Sequence, residues 1–183
     1  MIKKEPHKFS TINLSLSHSQ TITSGDFESY PFLHKLILSY SNLTSIEEDA
    51  LGRLEMLTIL HLDHNKLTQI PPSLPASLIK LYMHNNLIME LHSNDLINLI
   101  NLQVLDLSNN NLIYMPQLTL PALITLSVRF CGLESVERAF LKTSRNLRQL
   151  LIDGNLIKCA QPPLVEIEQC YDMQTLSNEY IND

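Results

Sequence analysis

The sequence predicts an α/β solenoid: one short coil, repeated about seven times and stacked along a single parallel sheet. Three observations predict it. An apolar residue opens each copy, at Phe9, Leu33, Leu57, Leu78, Leu102, Leu123 and Leu147, at intervals of 24, 24, 21, 24, 21 and 24 residues. Positions four and six are apolar again, as Ile12, Leu36, Leu60, Leu81, Leu105, Leu126 and Leu150, and as Leu14, Leu38, Leu62, Met83, Leu107, Val128 and Ile152. Position nine is usually Asn, at Asn65, Asn86 and Asn110. Random apolar richness would not hold three columns in step across seven copies.

Each element follows in order. Phe9 to Ile22 reads as a degenerate first copy, with Ser17 and Ser19 where Asn and Leu are expected. In every copy the apolar alternation at positions four and six makes a short strand with those side chains inward. Seven parallel strands should centre near Thr11, Lys35, Ile59, Lys80, Val104, Thr125 and Gln149. The chain then turns, and the ninth residue enters the coil. A buried Asn carries donors and an acceptor, so it can pair with backbone groups freed by the turn and by the next coil. Ser41 holds that place in the second copy and Cys131 in the sixth.

On the convex side the two copy lengths differ. The 21-residue copies contain Ile70-Pro71-Pro72-Ser73-Leu74-Pro75 and Met115-Pro116-Gln117-Leu118-Thr119-Leu120-Pro121. Proline fixes φ and removes a donor, so these segments should be extended. The longer copies contain Asp49 to Leu54 and Asn94 to Leu99, where Asp or Asn can cap a short helical turn. The domain boundaries are a lead at 1–8, repeats at 9–170 with a capping last copy from Gly154-Asn155 to Cys170, and a polar tail at 171–183.

Composition excludes several classes. The net charge is −6 and Lys and Arg are scattered, which disfavours nucleic acid. No apolar run reaches the roughly 18 residues of a membrane span. Met1 to Phe9 is polar, without the apolar region of a signal peptide. That leaves an intracellular protein or a fragment lacking its leader and N-terminal cap.

The motif L-x-x-L-x-L-x-x-N-x-L, the lengths 21 and 24, Asn65 to Pro71 as N-x-L-T-x-I-P, and Pro71 to Pro75 as P-x-x-L-P resemble extracellular leucine-rich repeat proteins. The resemblance is to small leucine-rich proteoglycans and secreted innate-immune proteins of this class, over roughly Phe9 to Cys170. It implies a horseshoe with the parallel sheet on its concave face and irregular or short helical convex segments. It also implies a disulfide-held cap, here Cys159 with Cys170, worth roughly 2–3 kcal/mol on the loop-entropy model. Two reduced thiols in a cytosolic protein are the alternative. The cysteine cluster that the family carries before its first repeat is missing here.

Candidate contact residues lie at strand positions that face solvent. They are Tyr40, His61, Asp63, His64, Tyr82, His84, Asp106, Arg129 and Phe130. His61, Asp63 and His84 fall on neighbouring strands, and His with carboxylate suits zinc. No ligand belongs to a characteristic local motif, so the expectation is no metal and no cofactor, and a patch that contacts protein. Asn42-Leu43-Thr44 and Asn13-Leu14-Ser15 are glycosylation sequons, with Asn42 on the outward turn. Cys131 reads as a ladder thiol; a nucleophile would need exposure and an adjacent base. The chain lacks G-x-S-x-G, a P-loop and H-E-x-x-H, so no enzyme is expected. The leading expectation is an extracellular module binding a protein partner; the alternative is an intracellular scaffold or adaptor.

Overall fold

The computed structural model describes residues 9–136 and 144–157, so the Cys159–Cys170 cap and the tail lie outside the described residues. Seven strands form one parallel sheet: β1 (Thr11–Asn13), β3 (Lys35–Ile37), β5 (Ile59–His61), β6 (Lys80–Tyr82), β7 (Val104–Asp106), β9 (Thr125–Ser127) and β11 (Gln149–Leu151). They neighbour one another in that order, and every pairing is parallel. Each strand starts at the residue expected as its centre. The register aligns position four throughout: Ile12, Leu36, Leu60, Leu81, Leu105, Leu126 and Leu150 are partners in turn.

That column is the core. From Leu36 to Leu126 its side chains are sealed from solvent, as are Leu38, Leu62, Met83, Leu107 and Val128 at position six. Ile12, on the first strand of the described sheet, is partly buried and packs against this core. The repeat therefore builds a continuous apolar interior that no single coil could close alone.

Beyond the turn, two shorter parallel ladders join consecutive coils. One pairs β2 (Thr21–Ile22) with β4 (Ser45–Ile46), the other β8 (Tyr114–Met115) with β10 (Ser135–Val136). The convex segments take the irregular form of the two expected. No helix occurs among the described residues. Around Asp49 to Leu54, isolated bonds such as Ala50 N–H to Glu47 O and Leu54 N–H to Leu51 O close single turns. In the Asn94 to Leu99 copy, Asp95 accepts from the His92 N–H at 2.7 Å, which starts that turn without propagating it. Phe27, Leu51 and Leu96 drop from these turns into the core.

The position-nine ladder satisfies the turns. Asn65 donates to Leu38 O and Leu62 O and accepts from Ser41 N–H and Leu43 N–H, all at 2.8–3.0 Å. Asn86 and Asn110 repeat the link, donating to Leu62 O and Met83 O of the preceding coil. Asn155 does so to Val128 O. Ser41 and Cys131 keep one strand of it, donating to Leu14 O and Leu107 O. Burial raises the Cys131 thiol, and the nearby Asp106 adds to the rise against the backbone amides of Asn110 and Asn109. The thiol is a structural donor, as its place in the repeat predicts.

Candidate functional site

Three rows of side chains cross the exposed face of the sheet. The first is position five, where His61, Tyr82 and Asp106 are partners on adjacent strands and Ser127 follows. The second is position seven: Ser39, Asp63, His84, Ser108, Arg129 and Asp153. The third is position eight, along the edge where each strand turns: Leu16, Tyr40, His64, Asn85, Asn109, Phe130 and Gly154.

Position eight is left-handed in every copy, with φ between 52° and 71°. Asn and Gly tolerate that conformation; a bulky side chain there costs about 1 kcal/mol or more. Yet Tyr40 and Phe130 occupy it, and they stay 52% and 60% exposed. Gly154 has a second reason to be glycine, since the Phe130 ring lies where its Cβ would be. The turn also breaks strand alternation, so that consecutive side chains at positions seven and eight can meet.

The rings stack in two tiers. Tyr40 lies on His64 with centroids 4.0 Å apart, His61 on Tyr82 at 4.6 Å, and His64 meets His84 edge-on at 5.1 Å. At their centre is Asp63. Its Oδ1 accepts from Ser39 Oγ at 2.9 Å and lies 3.5 Å from His61 Nδ1. Its Oδ2 lies 3.1 Å from His64 Nδ1 and 3.8 Å from His84 Nε2. Burial alone would raise this carboxyl. The bonds from His61, His64 and Ser39, with the nearby charge of His84, outweigh burial and hold it well below the usual carboxylate range.

Asp106 bears on His84 from the other side, its Oδ2 3.3 Å from Nδ1. The N–H does not point along that contact, which is a charge pair more than a well-aligned hydrogen bond. The neighbouring carboxylate raises His84, against the opposing effect of burial, and Asp63 adds to the rise. Asp106 itself is pushed up by burial but held below its ordinary value by His84 and Ser108.

The structure thus brings together seven of the nine expected contact residues: Tyr40, His61, Asp63, His64, Tyr82, His84 and Asp106. Arg129 and Phe130 stand on the next coil after Asp106, lining one groove with Tyr82, His84 and Asp106, and Arg129 Nε is 2.8 Å from Asp153 Oδ2. That N–H is again poorly aligned with its partner. Both sequons are exposed: Asn42 at the left-handed turn, and Asn13 at the end of β1 with its Oδ1 accepting from the Ser15 N–H. Sequence reasoning missed Ser39 and Asp153 as partners, and missed the strain at position eight. The Asn85, Asn109 and Gly154 column was the available signal.

Comparison with known proteins agrees with this architecture. Two family models, both described as leucine-rich repeats, match residues 8–67 and 101–126. Toll-like receptor 7 of Mus musculus is 47% identical over 66 residues, 36% of this chain and 6% of that protein. Nephrocan of Mus musculus is 32% identical over 154 residues, 84% of this chain and 26% of the relative. Keratocan of Homo sapiens is 35% identical over 96 residues, 51% of this chain and 27% of the relative. The chain thus spans about a quarter or less of each of these relatives. Columns, ladder and matches converge: the chain belongs to the leucine-rich repeat proteins and is similar to the small leucine-rich proteoglycans and toll-like receptors.

Proposed function

We propose that this chain is a non-enzymatic recognition module of an extracellular protein, binding a protein partner on the exposed face of its sheet. One observation carries the reading: Tyr40 and Phe130 stay more than half exposed on backbone where Asn or Gly would be relaxed. Strain kept at an exposed position asks for a compensating contact. Between them, Tyr82, His61, His84 and Asp106 supply ring surface and polar atoms in one continuous array, the composition of a contact patch. The similarity to nephrocan and keratocan supports an extracellular setting. The exposed Asn42 and Asn13 sequons are its carbohydrate sites in this reading, and Cys159 with Cys170 its closing bridge.

The test is a screen of the secreted chain against arrayed extracellular domains, followed by affinity measurement on face variants. Tyr40→Ala and Phe130→Ala should weaken a partner that Gln117→Ala, on the exposed convex segment, leaves unchanged. Equal affinity in all three would place binding elsewhere. Glycosidase-sensitive mass at Asn42 and loss of two thiols in the secreted protein test the setting separately.

A further inference from the structure

Asp63, His64 and His84 do more than present a polar surface. Their ligand atoms all lie within 4.8 Å of one another, and Oδ2 of Asp63 is 3.1 Å from His64 Nδ1 and 3.8 Å from His84 Nε2. Two ligands about 2.0–2.1 Å from a tetrahedral zinc ion stand about 3.3 Å apart, so the two Asp63 pairs need only small adjustment. The His64–His84 pair, within 4.8 Å, must close by up to about 1.5 Å. The left-handed turn at His64 is what lets this side chain meet its immediate neighbour Asp63.

The atoms behind the ligands strengthen the case. Metal-binding imidazoles generally give their second nitrogen's proton to a carboxylate or amide, which fixes tautomer and ring orientation. Here His84 Nδ1 faces Asp106 Oδ2 at 3.3 Å, while Nε2 faces Asp63. His64 Nε2 lies 3.1 Å from the Asn85 side-chain amide, while Nδ1 faces Asp63. An amide can present its oxygen or its nitrogen at that distance, so Asn85 can accept the Nε2 proton and free Nδ1. Ser39 holds the other Asp63 oxygen in place. Asp63 and His64 are therefore held from behind by hydrogen bonds, and His84 by the charge of Asp106, a contact that a small turn of the ring would align. The other His–carboxylate group, His92 with Glu90 and Asp95, has no such support; its imidazole is largely in solvent and Asp95 already caps the His92 N–H.

We propose that Asp63 Oδ2, His64 Nδ1 and His84 Nε2 bind one divalent transition-metal ion of the zinc class. Three protein ligands leave a coordination position open to solvent or to a donor from outside the chain. The site stands on these residues alone and does not depend on the identity of a partner.

The test uses the tag-free 183-residue chain, stripped with chelator and dialysed, then titrated with zinc by calorimetry and with cobalt by visible absorption. About one equivalent should bind, and cobalt should show ligand-field bands without the thiolate charge-transfer band of cysteine coordination. His64→Asn and His84→Ala should each weaken zinc by at least about tenfold, and Asp106→Asn, a positioning residue, by about ten- to a hundredfold. His92→Ala should change nothing. Asn already fills the position of His64 at Asn85 and Asn109, so His64→Asn keeps the fold and decides the matter even if His84→Ala does not fold. No zinc uptake, a thiolate band, or undiminished affinity in His64→Asn would overturn the proposal.

Discussion

Replacing Asn65 with Leu preserves volume and removes every polar bond the side chain makes. In the folded chain its oxygen accepts from Ser41 N–H and Leu43 N–H, and its nitrogen donates to Leu38 O and Leu62 O. The site is buried, so water cannot replace these partners without opening the coil. A buried polar group left unpaired costs about 1–3 kcal/mol. Leu62 O keeps Asn86 as a donor, so three backbone groups lose their partner. At the low end of that range they give a loss of about 3 kcal/mol, a large share of the roughly 5–15 kcal/mol of a folded domain. The repeat itself supplies a graded control. Ser41 and Cys131 keep the link to the preceding coil and a longer contact in their own, with fewer bonds than Asn65 makes, so Asn65→Ser should fall between wild type and Asn65→Leu. Urea melts followed by circular dichroism would measure both, with the midpoint read at constant slope. A loss below about 1 kcal/mol for Asn65→Leu, or a Ser variant as damaged as the Leu variant, would refute the ladder as the element that satisfies the turns.

Other outcomes follow from the same structure. Leu105→Ala empties a sealed position between Leu81 and Leu126 and should cost about 2–5 kcal/mol in the same melts. Gly154→Ala should destabilise by about 1 kcal/mol or more, from its left-handed φ of 71° and the displaced Phe130 ring; an unchanged melt would show that this turn relaxes freely. Cys131 should resist a bulky maleimide in the native state and react on unfolding, because it is buried and its thiol is raised; fast native labelling, read by mass, would reopen its reactivity. Tyr82→Ala should weaken a partner bound to the sheet face by about 1–2 kcal/mol at nearly unchanged melting temperature. An unaffected partner would exclude the centre of the face as its docking point.

The fold was legible because a repeat states its rule many times. Leu60, Leu81 and Leu105 recur at fixed places, so one wrong residue such as Ser17 could not obscure the register. The candidate contact residues follow from the same rule, being the positions along the sheet that it leaves free. Their mutual geometry was not. The meeting of His64 with Asp63 depends on a backbone angle, and strand alternation would send those neighbours to opposite faces. Ser39 looks like any strand serine until the parallel register sets it beside Asp63. The convex turns were only half legible: Asp49 to Leu54 and Asn94 to Leu99 carry capping chemistry, with Asp95 closing the second turn, but segments this short leave no length for a helix to pass its nucleation cost.

The asparagine ladder has a direction. From the second copy on, each position-nine side chain reaches back, from Asn65 to Leu38, Asn86 to Leu62, Asn110 to Met83 and Asn155 to Val128, and the Ser41 and Cys131 stand-ins do the same. Each coil thus has its amides closed by its successor, while the bonds it gives serve its predecessor. Damage to one rung is felt upstream: with Asn65 lost, the amides of Ser41 and Leu43 open to deuterium, while Leu67 keeps its own protector in Asn86. A solenoid wired this way frays asymmetrically, and its order at any point depends on what comes after it in the chain.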